Sequence, residues 1–482
     1  MKVLFVAAEG VPFVKTGGLG DVIGSLPQAL QEKGLEVGVM MPLYGDISSY
    51  YKEAMTLVSE FTVPLAWRSQ YCGLKSLSRE GISYYFVDNE YYFKRDGIYG
   101  FYDEAERYAF FCRAVLESLP HLGFKPQILH CHDWHTGVLS LFLRAFYKDH
   151  PFYRDLRTVF TIHNLHYQGI FPREILGDIL GLGEEYLKDD RLEFYHNINF
   201  MKAGIVFSDV ITTVSRTYAE EIKTPLGGEN LDALLRKRER RLFGILNGID
   251  TKKYNPLTDP ALFVPYRCSL TKKVQNKLKL QELLGLPVKG EVPLLALVSR
   301  LVAQKGLDLL VQIMEELLAR DLQMVILGRG EETYENFFLQ MAQRYSRQLA
   351  ARIMFDETLA RRIYAGSDIF LMPSLSEPCG LGQLLALRYG SIPVVRETGG
   401  LKDTVTAYNE YTGTGNGFTF THFNARDFLY TIDRALNFYG QKDVWSRLVN
   451  NACKGNFSWQ RSALEYLDLY RKLLSGFFTH DA

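Results

Sequence analysis

The pattern of hydrophobic and polar positions alternates between two kinds of segment. Short runs rich in Val, Ile, Leu and Phe are separated by longer stretches whose apolar residues recur at helical spacing. Many runs are apolar at almost every position, which is typical of strands buried on both faces of a sheet. The alternation predicts βαβ units and parallel sheets, an α/β fold. The predicted strands lie near residues 2–8, 36–42, 82–88, 128–132, 157–162 and 209–214, and then near 293–299, 324–328, 353–355, 369–373 and 392–396.

The two series of strands predict two domains. A chain of 482 residues is too long for one ordinary hydrophobic core, and a stretch rich in proline and charge separates the series. We therefore predict two Rossmann-like, doubly wound domains, 1–243 and 244–457, with a deep cleft between them. Residues 458–482 form a third segment, predicted to be a helix with Leu464, Leu467, Tyr470 and Leu474 on one face, which packs back on the first domain.

Composition narrows the class of protein. Lys and Arg together number 55, and so do Asp and Glu, so the formal net charge is zero. A nucleic-acid-binding protein would normally show a basic excess, so any anion must be bound by a few placed cations. The six cysteines are scattered without metal-ligand spacing, which indicates thiols in a reducing compartment. The first apolar run is too short to cross a membrane and no targeting signal precedes it, so we expect a cytoplasmic protein.

A glycine-rich loop follows the first predicted strand, at residues 15–21 (KTGGLGD). Glycines let the backbone approach a ligand closely, and N–H groups at a helix start can face an anion. The spacing GxGxxxG, after a long loop that contains a proline, does not match the dinucleotide fingerprint. The alternative is a plain turn in which Asp21 caps the helix. Pro27 is expected to kink or delay that helix.

Two polar clusters follow strands of the first domain. Residues 130–135 (HCHDWH) carry metal-ligand side chains, but alternate residues of a strand face opposite sides, so the set cannot converge on one ion. Asp133, Trp134 and His135 lie where the strand ends, either contacting substrate or forming a wall. Residues 161–169 (TIHNLHYQG) place dense donors and acceptors after the next strand, which is typical of a sugar-binding rim.

Two cations follow the first strand of the second domain, in residues 299–306 (SRLVAQKG). Arg300 offers a planar fork to phosphate oxygens and Lys305 a point charge, so both could bind one diphosphate. The alternative is an exposed loop with two solvated cations. Their position at the carboxyl end of a strand favours the binding role.

A carboxylate and glycines follow a later strand, in residues 373–383 (PSLSEPCGLGQ). Glu377 could accept hydrogen bonds from sugar hydroxyls, and a helix starting after Gly380 would direct free N–H groups at phosphate. The alternative is helix capping by the Glu-Pro pair. Residues 398–403 (TGGLKD) repeat a glycine-rich turn before a helix.

These segments, in this order, are similar to the bacterial glycogen synthase and plant starch synthase family, over nearly the whole chain from residue 2 to about 470. The resemblance implies a GT-B fold and transfer of glucose from a nucleoside diphosphate donor to an α-1,4-glucan with retention of configuration. It favours ADP-glucose over UDP-glucose as donor. It implies no cofactor, no obligatory metal, and neither nucleic acid nor membrane as partner.

The resemblance also implies roles for residues that match the motifs. Arg300 and Lys305 would bind the diphosphate, Glu377 would hold glucose hydroxyls, and His163 would sit near the 6-hydroxyl and the anomeric carbon. Lys15 completes the implied catalytic set. The implied donor-binding residues are Gly18, Asp21, Asn247, Phe355, Cys379, Gly380, Leu381 and Gly382. The implied acceptor or cleft residues are Asp133, Trp134, His135, Tyr167 and Gln168.

Two positions depart from related patterns. Residue 382 is Gly where Thr or Asn is common, so only the backbone can serve there. Residue 385 is Leu where related glycosyltransferases often carry a second Glu, which favours the glucan synthase branch. The alternatives left open are a UDP-sugar glycosyltransferase with a small acceptor, a nicotinamide dehydrogenase and a non-enzymatic glucan-binding protein.

Overall fold

The computed structural model describes residues 1–188, 191–267 and 269–478. The chain divides into two compact units: Met1–Gly248 together with the segment from Trp459 onward, and Ile249–Ser458. These boundaries lie at 248/249 and 458/459, against the predicted 243/244 and 457/458. No helix in the described ranges is both long and apolar enough to cross a membrane.

The first unit is built on a nine-stranded sheet in the order β12-β11-β7-β6-β1-β2-β5-β4-β3. Seven strands are parallel neighbours, and β3 and β4 add an antiparallel edge. A small antiparallel sheet has the order β8-β10-β9. The strand bounds are β1 (Lys2–Val6), β2 (Glu36–Pro42), β3 (Thr56–Leu65), β4 (Arg68–Arg79), β5 (Ile82–Asp88), β6 (Ile128–His132), β7 (Arg157–Ile162), β8 (Ile170–Pro172), β9 (Glu193–Phe194), β10 (Asn197–Asn199), β11 (Val210–Thr213) and β12 (Leu242–Gly244).

Helices lie between many of these strands. Their bounds are α1 (Gly18–Gln31), α2 (Ser49–Glu53), α3 (Glu90–Phe93), α4 (Glu104–Ser118), α5 (Gly137–Phe142), α6 (Ile175–Asp178), α7 (Phe200–Phe207), α8 (Arg216–Glu221) and α9 (Asp232–Lys237).

The second unit is built on a six-stranded parallel sheet in the order β15-β14-β13-β16-β17-β18. Its strands are β13 (Leu294–Val298), β14 (Gln323–Gly328), β15 (Leu349–Ile353), β16 (Ile369–Met372), β17 (Ile392–Arg396) and β18 (Phe418–Phe420). Its helices are α10 (Leu270–Leu284), α11 (Leu307–Leu318), α12 (Glu332–Arg344), α13 (Glu357–Gly366), α14 (Gly382–Arg388), α15 (Gly399–Thr404), α16 (Ala425–Tyr439) and α17 (Lys442–Cys453).

The core of the second unit covers both faces of its sheet. Leu295 and Leu297 of β13 enter one buried cluster, and Leu294 and Ala296 enter the other. Alternate residues of a strand point to opposite faces, so two covered faces require β13 to be apolar at consecutive positions. The continuous apolar runs of the sequence have this cause.

The last helix, α18 (Trp459–Leu474), belongs to the first unit and packs against α1. Tyr466 and Tyr470 are buried, and the Tyr470 hydroxyl lies 2.7 Å from Nδ1 of His130 on β6. The predicted apolar face is wrong at Leu464, which is 53% exposed. The neighbouring Ala463 is buried instead, and the predicted Leu467 and Tyr470 are buried as expected.

Two further predictions are corrected by the structure, and one pair of strands was not predicted. The strand predicted at 353–355 ends at Ile353, because Asp356 caps α13 through its side chain and leaves Phe355 87% exposed in the turn. The helix predicted to be delayed by Pro27 begins at Gly18 and continues through that proline. The antiparallel pair β3 and β4 was not predicted, since polar and exposed residues interrupt its apolar pattern.

Candidate active site

Both large sheets have their first strand in the middle. In the first unit β1 lies between β6 and β2, and in the second β13 lies between β16 and β14. The chain moves outward from the first strand in one direction and then returns to its other side. At such a switch point the loops after two neighbouring strands diverge and leave room for a ligand at their carboxyl ends. The predicted site loops follow β1, β6, β13 and β16.

A buried carboxylate organises the loop after β1. Glu9 is 3% exposed, and its Oε2 accepts hydrogen bonds from the backbone N–H of Thr16 at 2.5 Å and the Thr16 hydroxyl at 2.8 Å. Burial raises the pKa of Glu9, opposed by these donors. Its side chain therefore fixes the entry to the glycine-rich turn.

The glycine-rich turn leads directly into α1. Gly17 is the N-cap and has no side-chain cap, so Asp21 does not cap this helix. Asp21 pairs instead with the Lys15 ammonium, at 2.7 and 2.8 Å. A Cβ placed on Gly18 would meet no atom within 4 Å. The turn thus holds a cation beside open space at the end of β1.

The loops after β6 and β7 are joined through Asp133. Its Oδ1 accepts a 2.7 Å hydrogen bond from the backbone N–H of His163, and its own φ is +57°, in the left-handed region. Burial raises the pKa of Asp133 to about 7, against the lowering effect of backbone donors from His163 and Asn164. Burial likewise lowers the pKa of His163 to about 3, so its ring is neutral.

Trp134 and His135 form a wall. Their rings stack at 4.0 Å, and the His135 ring also stacks on Tyr99 at 4.8 Å. Each is 7% exposed, and the Trp134 ring lies so close to Gly169 that a Cβ there would be 2.3 Å away. Both side chains are therefore almost entirely enclosed by other parts of the protein. Within the described ranges no three His, Cys, Asp or Glu side chains form a group that could hold a metal ion.

The remaining first-unit candidates differ in accessibility. Tyr167 is half exposed, whereas Gln168 is buried and its amide bonds to the carbonyl of Glu229 and to the side chain of Asn199. The hydrogen-bonding groups of the Gln168 amide are therefore used within the protein. Asn247 is 7% exposed, and its buried Oδ1 has no partner among the described residues.

In the second unit, the loops after β13 and β16 meet through an ion pair. Lys305 Nζ lies 2.9 and 2.7 Å from the two carboxylate oxygens of Glu377, although 72 residues separate them. The buried Ser374 hydroxyl donates to Glu377 Oε2 at 2.9 Å. The side chains of Lys305 and Glu377 are 19% and 8% exposed. The switch point therefore carries a fixed, desolvated pair of opposite charges.

Arg300 lies on the same loop as Lys305 but differs in environment. Its side chain is exposed, and no carboxylate in the part of the chain that the structure describes forms an ion pair with its guanidinium. Phe355 is similarly exposed at the end of β15. Both side chains are available to a ligand at this edge of the sheet.

The loop from Cys379 to Gly382 is shaped by close backbone contacts. Cys379 is buried, Gly380 has a φ of +73°, Leu381 is the N-cap of α14, and Gly382 starts that helix. A Cβ at Gly382 would lie 3.2 Å from the ring of Phe370, so a larger residue at this position would crowd that ring. The loop offers backbone groups, and its Cys379 side chain is turned inward.

A second glycine turn presses on this loop from the start of α15. A Cβ on Gly399 would lie 2.0 Å from the carbonyl oxygen of Glu377, and one on Gly400 would lie 2.1 Å from that of Cys379. Glycine is required at both positions because two backbones touch there. The turn at 398–403 therefore helps to position Glu377 by packing against its backbone.

Sequence reasoning missed two supporting residues. Glu9 was not among the predicted site residues, although a lone carboxylate directly after a buried strand is a usable signal. Ser374 carried no signal of its own, since its hydrogen bond depends on how the loop after β16 turns. Ser374 contacts the predicted residue Glu377, and Glu9 contacts Thr16 of the predicted glycine-rich loop.

Comparison with known proteins identifies relatives over almost the full chain. Residues 2–237 match the starch synthase catalytic domain family, and residues 285–452 match glycosyl transferases group 1. A glycogen synthase from Desulforamulus reducens is 58% identical, covering 98% of this chain and 99% of that relative. A glycogen synthase from Anoxybacillus flavithermus is 53% identical, with complete coverage of both chains.

Two solved structures are similar to this chain. The catalytic domain of starch synthase IV from Arabidopsis thaliana, bound to ADP and acarbose, superposes with a TM-score of 0.91 and 35% identity, covering 98% of this chain and 99% of that one. A sucrose-phosphate synthase from Thermosynechococcus elongatus has a TM-score of 0.62 and 15% identity, covering 98% of this chain and 99% of that one. The second likeness concerns the fold alone.

Proposed function

This chain belongs to the glycogen synthase and starch synthase family and has its GT-B fold, and on this basis we propose the reaction that it catalyses. The chain is a glycosyltransferase that moves glucose from ADP-glucose to the non-reducing end of an α-1,4-glucan, with retention of configuration and release of ADP. The starch synthase relative that holds ADP and acarbose, a nucleotide and an oligosaccharide, supports both substrate classes.

The observation that carries the mechanism is the Lys305–Glu377 pair at the switch point of the second unit. Breaking the bond between the anomeric carbon and the phosphate oxygen adds a negative charge to the departing diphosphate, and preorganised cations stabilise such charge most effectively. Lys305 and the exposed Arg300 supply those cations in a chain without net basic charge. Glu377 accepts hydrogen bonds from glucose hydroxyls while it orients Lys305.

Residues of the first unit bind the sugar and the acceptor in this proposal. His163 contacts the donor glucose at its 6-hydroxyl, and Lys15 with Asp21 lies beside open space at Gly18 where a substrate group fits. Asn247 offers a buried carbonyl oxygen that has no partner among the described residues. The glucan hydroxyl bonds to the anomeric carbon on the face from which ADP leaves and gives its proton to the departing phosphate oxygen, which conserves the α configuration.

The other donor contacts follow the geometry of the second unit. Phe355 stacks on the nucleobase, and the backbone from Cys379 to Gly382 lies along sugar and phosphate. The proposed reaction uses no cofactor and no obligatory metal, and a cytoplasmic location stays a prediction. The small-acceptor alternative keeps only the fold likeness to sucrose-phosphate synthase in its favour.

The test is transfer of glucose from ADP-glucose and, separately, UDP-glucose onto glycogen, with and without a chelator, measured as release of nucleoside diphosphate. We expect turnover with ADP-glucose that the chelator does not reduce. Turnover with UDP-glucose alone would reverse the donor assignment. Turnover only with small sugar acceptors, or glucan binding without transfer from either donor, would overturn the proposal.

A further inference from the structure

His132, the last residue of β6, makes a ring-to-ring contact with His163. Its Nδ1 lies 2.9 Å from Nε2 of His163. The His132 side chain has no solvent exposure and is held between other rings: it stacks on Phe5 at 5.4 Å and 17°, and lies 4.3 Å from the ring of His130. The ring therefore has one orientation, fixed by the sheet beneath it.

The protonation of the two rings follows from this contact. Burial lowers the pKa of His132 well below its usual value and that of His163 to about 3, so both imidazoles are neutral near pH 7. A neutral imidazole carries one N–H and one bare nitrogen. A single proton therefore joins the two rings, carried either by His132 Nδ1 or by His163 Nε2.

The second nitrogen of His132 decides between these two states. His132 Nε2 is buried and has no hydrogen-bond partner among the described residues. If the proton of His132 were on Nε2, a buried N–H donor would be left unpaired, which is rarer in proteins than an unpaired acceptor. With the proton on Nδ1, His132 donates to His163 Nε2 and only a lone pair is left bare. His163 then carries its own proton on Nδ1.

We propose that His132 is a positioning residue that holds His163 in its Nδ1–H form, so that His163 donates a hydrogen bond to a hydroxyl oxygen of the donor sugar. Asp133 fixes the backbone N–H of His163 at 2.7 Å while His132 fixes its ring, so two consecutive residues set one side chain. The use of the donated bond rests on the proposed function, but the protonation state of the two rings does not.

The first measurement is independent of activity. Long-range ¹H–¹⁵N correlation spectra of ¹⁵N-histidine-labelled protein at pH 7.5, with His163→Gln to assign the signals, report which ring nitrogen is protonated. We expect a protonated Nδ1 and a bare Nε2 in His163, and the same form in His132. A protonated Nε2 in His163 would overturn the inference even if the enzyme were active.

The second measurement uses two variants of His132. His132→Phe keeps a ring on Phe5 but removes the donor, and His132→Asn places an amide N–H close to the position of the lost Nδ1–H. We expect kcat/KM with ADP-glucose to fall 10- to 100-fold in the Phe variant and to recover in large part in the Asn variant. His121→Phe is the matched control, because His121 also stacks on a phenylalanine, Phe61, at 5.0 Å.

A donor analogue separates positioning from general damage. With ADP-6-deoxyglucose, which lacks the 6-hydroxyl, wild type and His132→Phe should differ by less than threefold, because neither makes the bond in question. An equal loss with both donors, or no loss with ADP-glucose, would refute the positioning role. Failure of wild type to use ADP-glucose would refute the proposed function instead, and the spectra would still decide the protonation of His163.

Discussion

Removing the Ser374 hydroxyl tests whether the Lys305–Glu377 pair is positioned for catalysis. In Ser374→Ala, Glu377 Oε2 loses a 2.9 Å hydrogen bond from a hydroxyl that is 1% exposed, while both contacts with Lys305 remain. A hydrogen bond to a charged acceptor contributes about 1.5–3 kcal/mol, and about 1.4 kcal/mol corresponds to a tenfold rate change. Because the ion pair still restrains Glu377, we expect the lower end, a loss of roughly 10- to 30-fold in kcat/KM.

The assay is steady-state ADP release with glycogen and ADP-glucose, accompanied by thermal unfolding of each variant. Ser367→Ala is the matched control, since Ser367 precedes the same strand β16 at its opposite end and its buried hydroxyl lies 2.8 Å from that of Ser391. The control should lose stability of about 1 kcal/mol and keep its kinetics. A twofold or smaller change in Ser374→Ala, or an equal loss in the control, would refute the positioning of Glu377 by this hydroxyl.

The remaining predictions concern a cation, a histidine and a glycine. Arg300→Ala should lower kcat/KM at least 100-fold through lost stabilisation of the leaving diphosphate; the exposed Arg347→Ala is its control, and near wild-type turnover would remove the assigned role. Burial lowers the pKa of His135 to about 3, below its usual 6.5, so its contribution to stability is present above pH 6.5 and is lost as pH falls toward 3. In His135→Phe, the free energy of unfolding should therefore fall with decreasing pH less steeply, by about 1.4 kcal/mol per pH unit between pH 6.5 and 3. Urea unfolding at a series of pH values measures this dependence, and the same pH dependence in the variant and the wild type would contradict the prediction. Gly399→Ala should push a Cβ against the carbonyl of Glu377 and reduce kcat more than 10-fold, a prediction that fails if a folded variant retains full activity.

The sequence pattern predicted most strands because buried parallel strands are apolar at consecutive positions. The runs at β13 and β16 are clear for this reason, and so are the polar loops that follow them. The antiparallel edge was different: β3 and β4 expose many positions, so their pattern is neither continuous nor strictly alternating. The apolar run around Phe355 led to a strand being predicted where there is none, because the run continues past the end of β15 into an exposed turn.

Residue types at strand ends predicted the candidate site, but not its contacts. Lys305 and Glu377 were both named, yet their contact depends on β13 and β16 being neighbours, which the sequence does not state. His132 was considered only as a metal ligand, and its contact with His163 appears once β6 and β7 are paired in register. Such contacts between loops follow from strand order, which local patterns leave open.

Strand order also explains why the two proposed diphosphate-binding cations differ. Lys305 is fixed before any donor binds, because Glu377 on the neighbouring loop holds it at 2.7 Å. The exposed Arg300 has no such restraint in the described ranges, and ordering a long side chain costs about 1.5–2 kcal/mol of conformational free energy. Part of the free energy of interaction between Arg300 and the diphosphate must offset that cost. Lys305 is already ordered, so its whole free energy of interaction can stabilise the departing diphosphate. Both cations lie on the loop after β13, but the neighbouring loop after β16 brings the Glu377 carboxylate to Lys305 and not to Arg300, so Lys305 is the restrained one of the two.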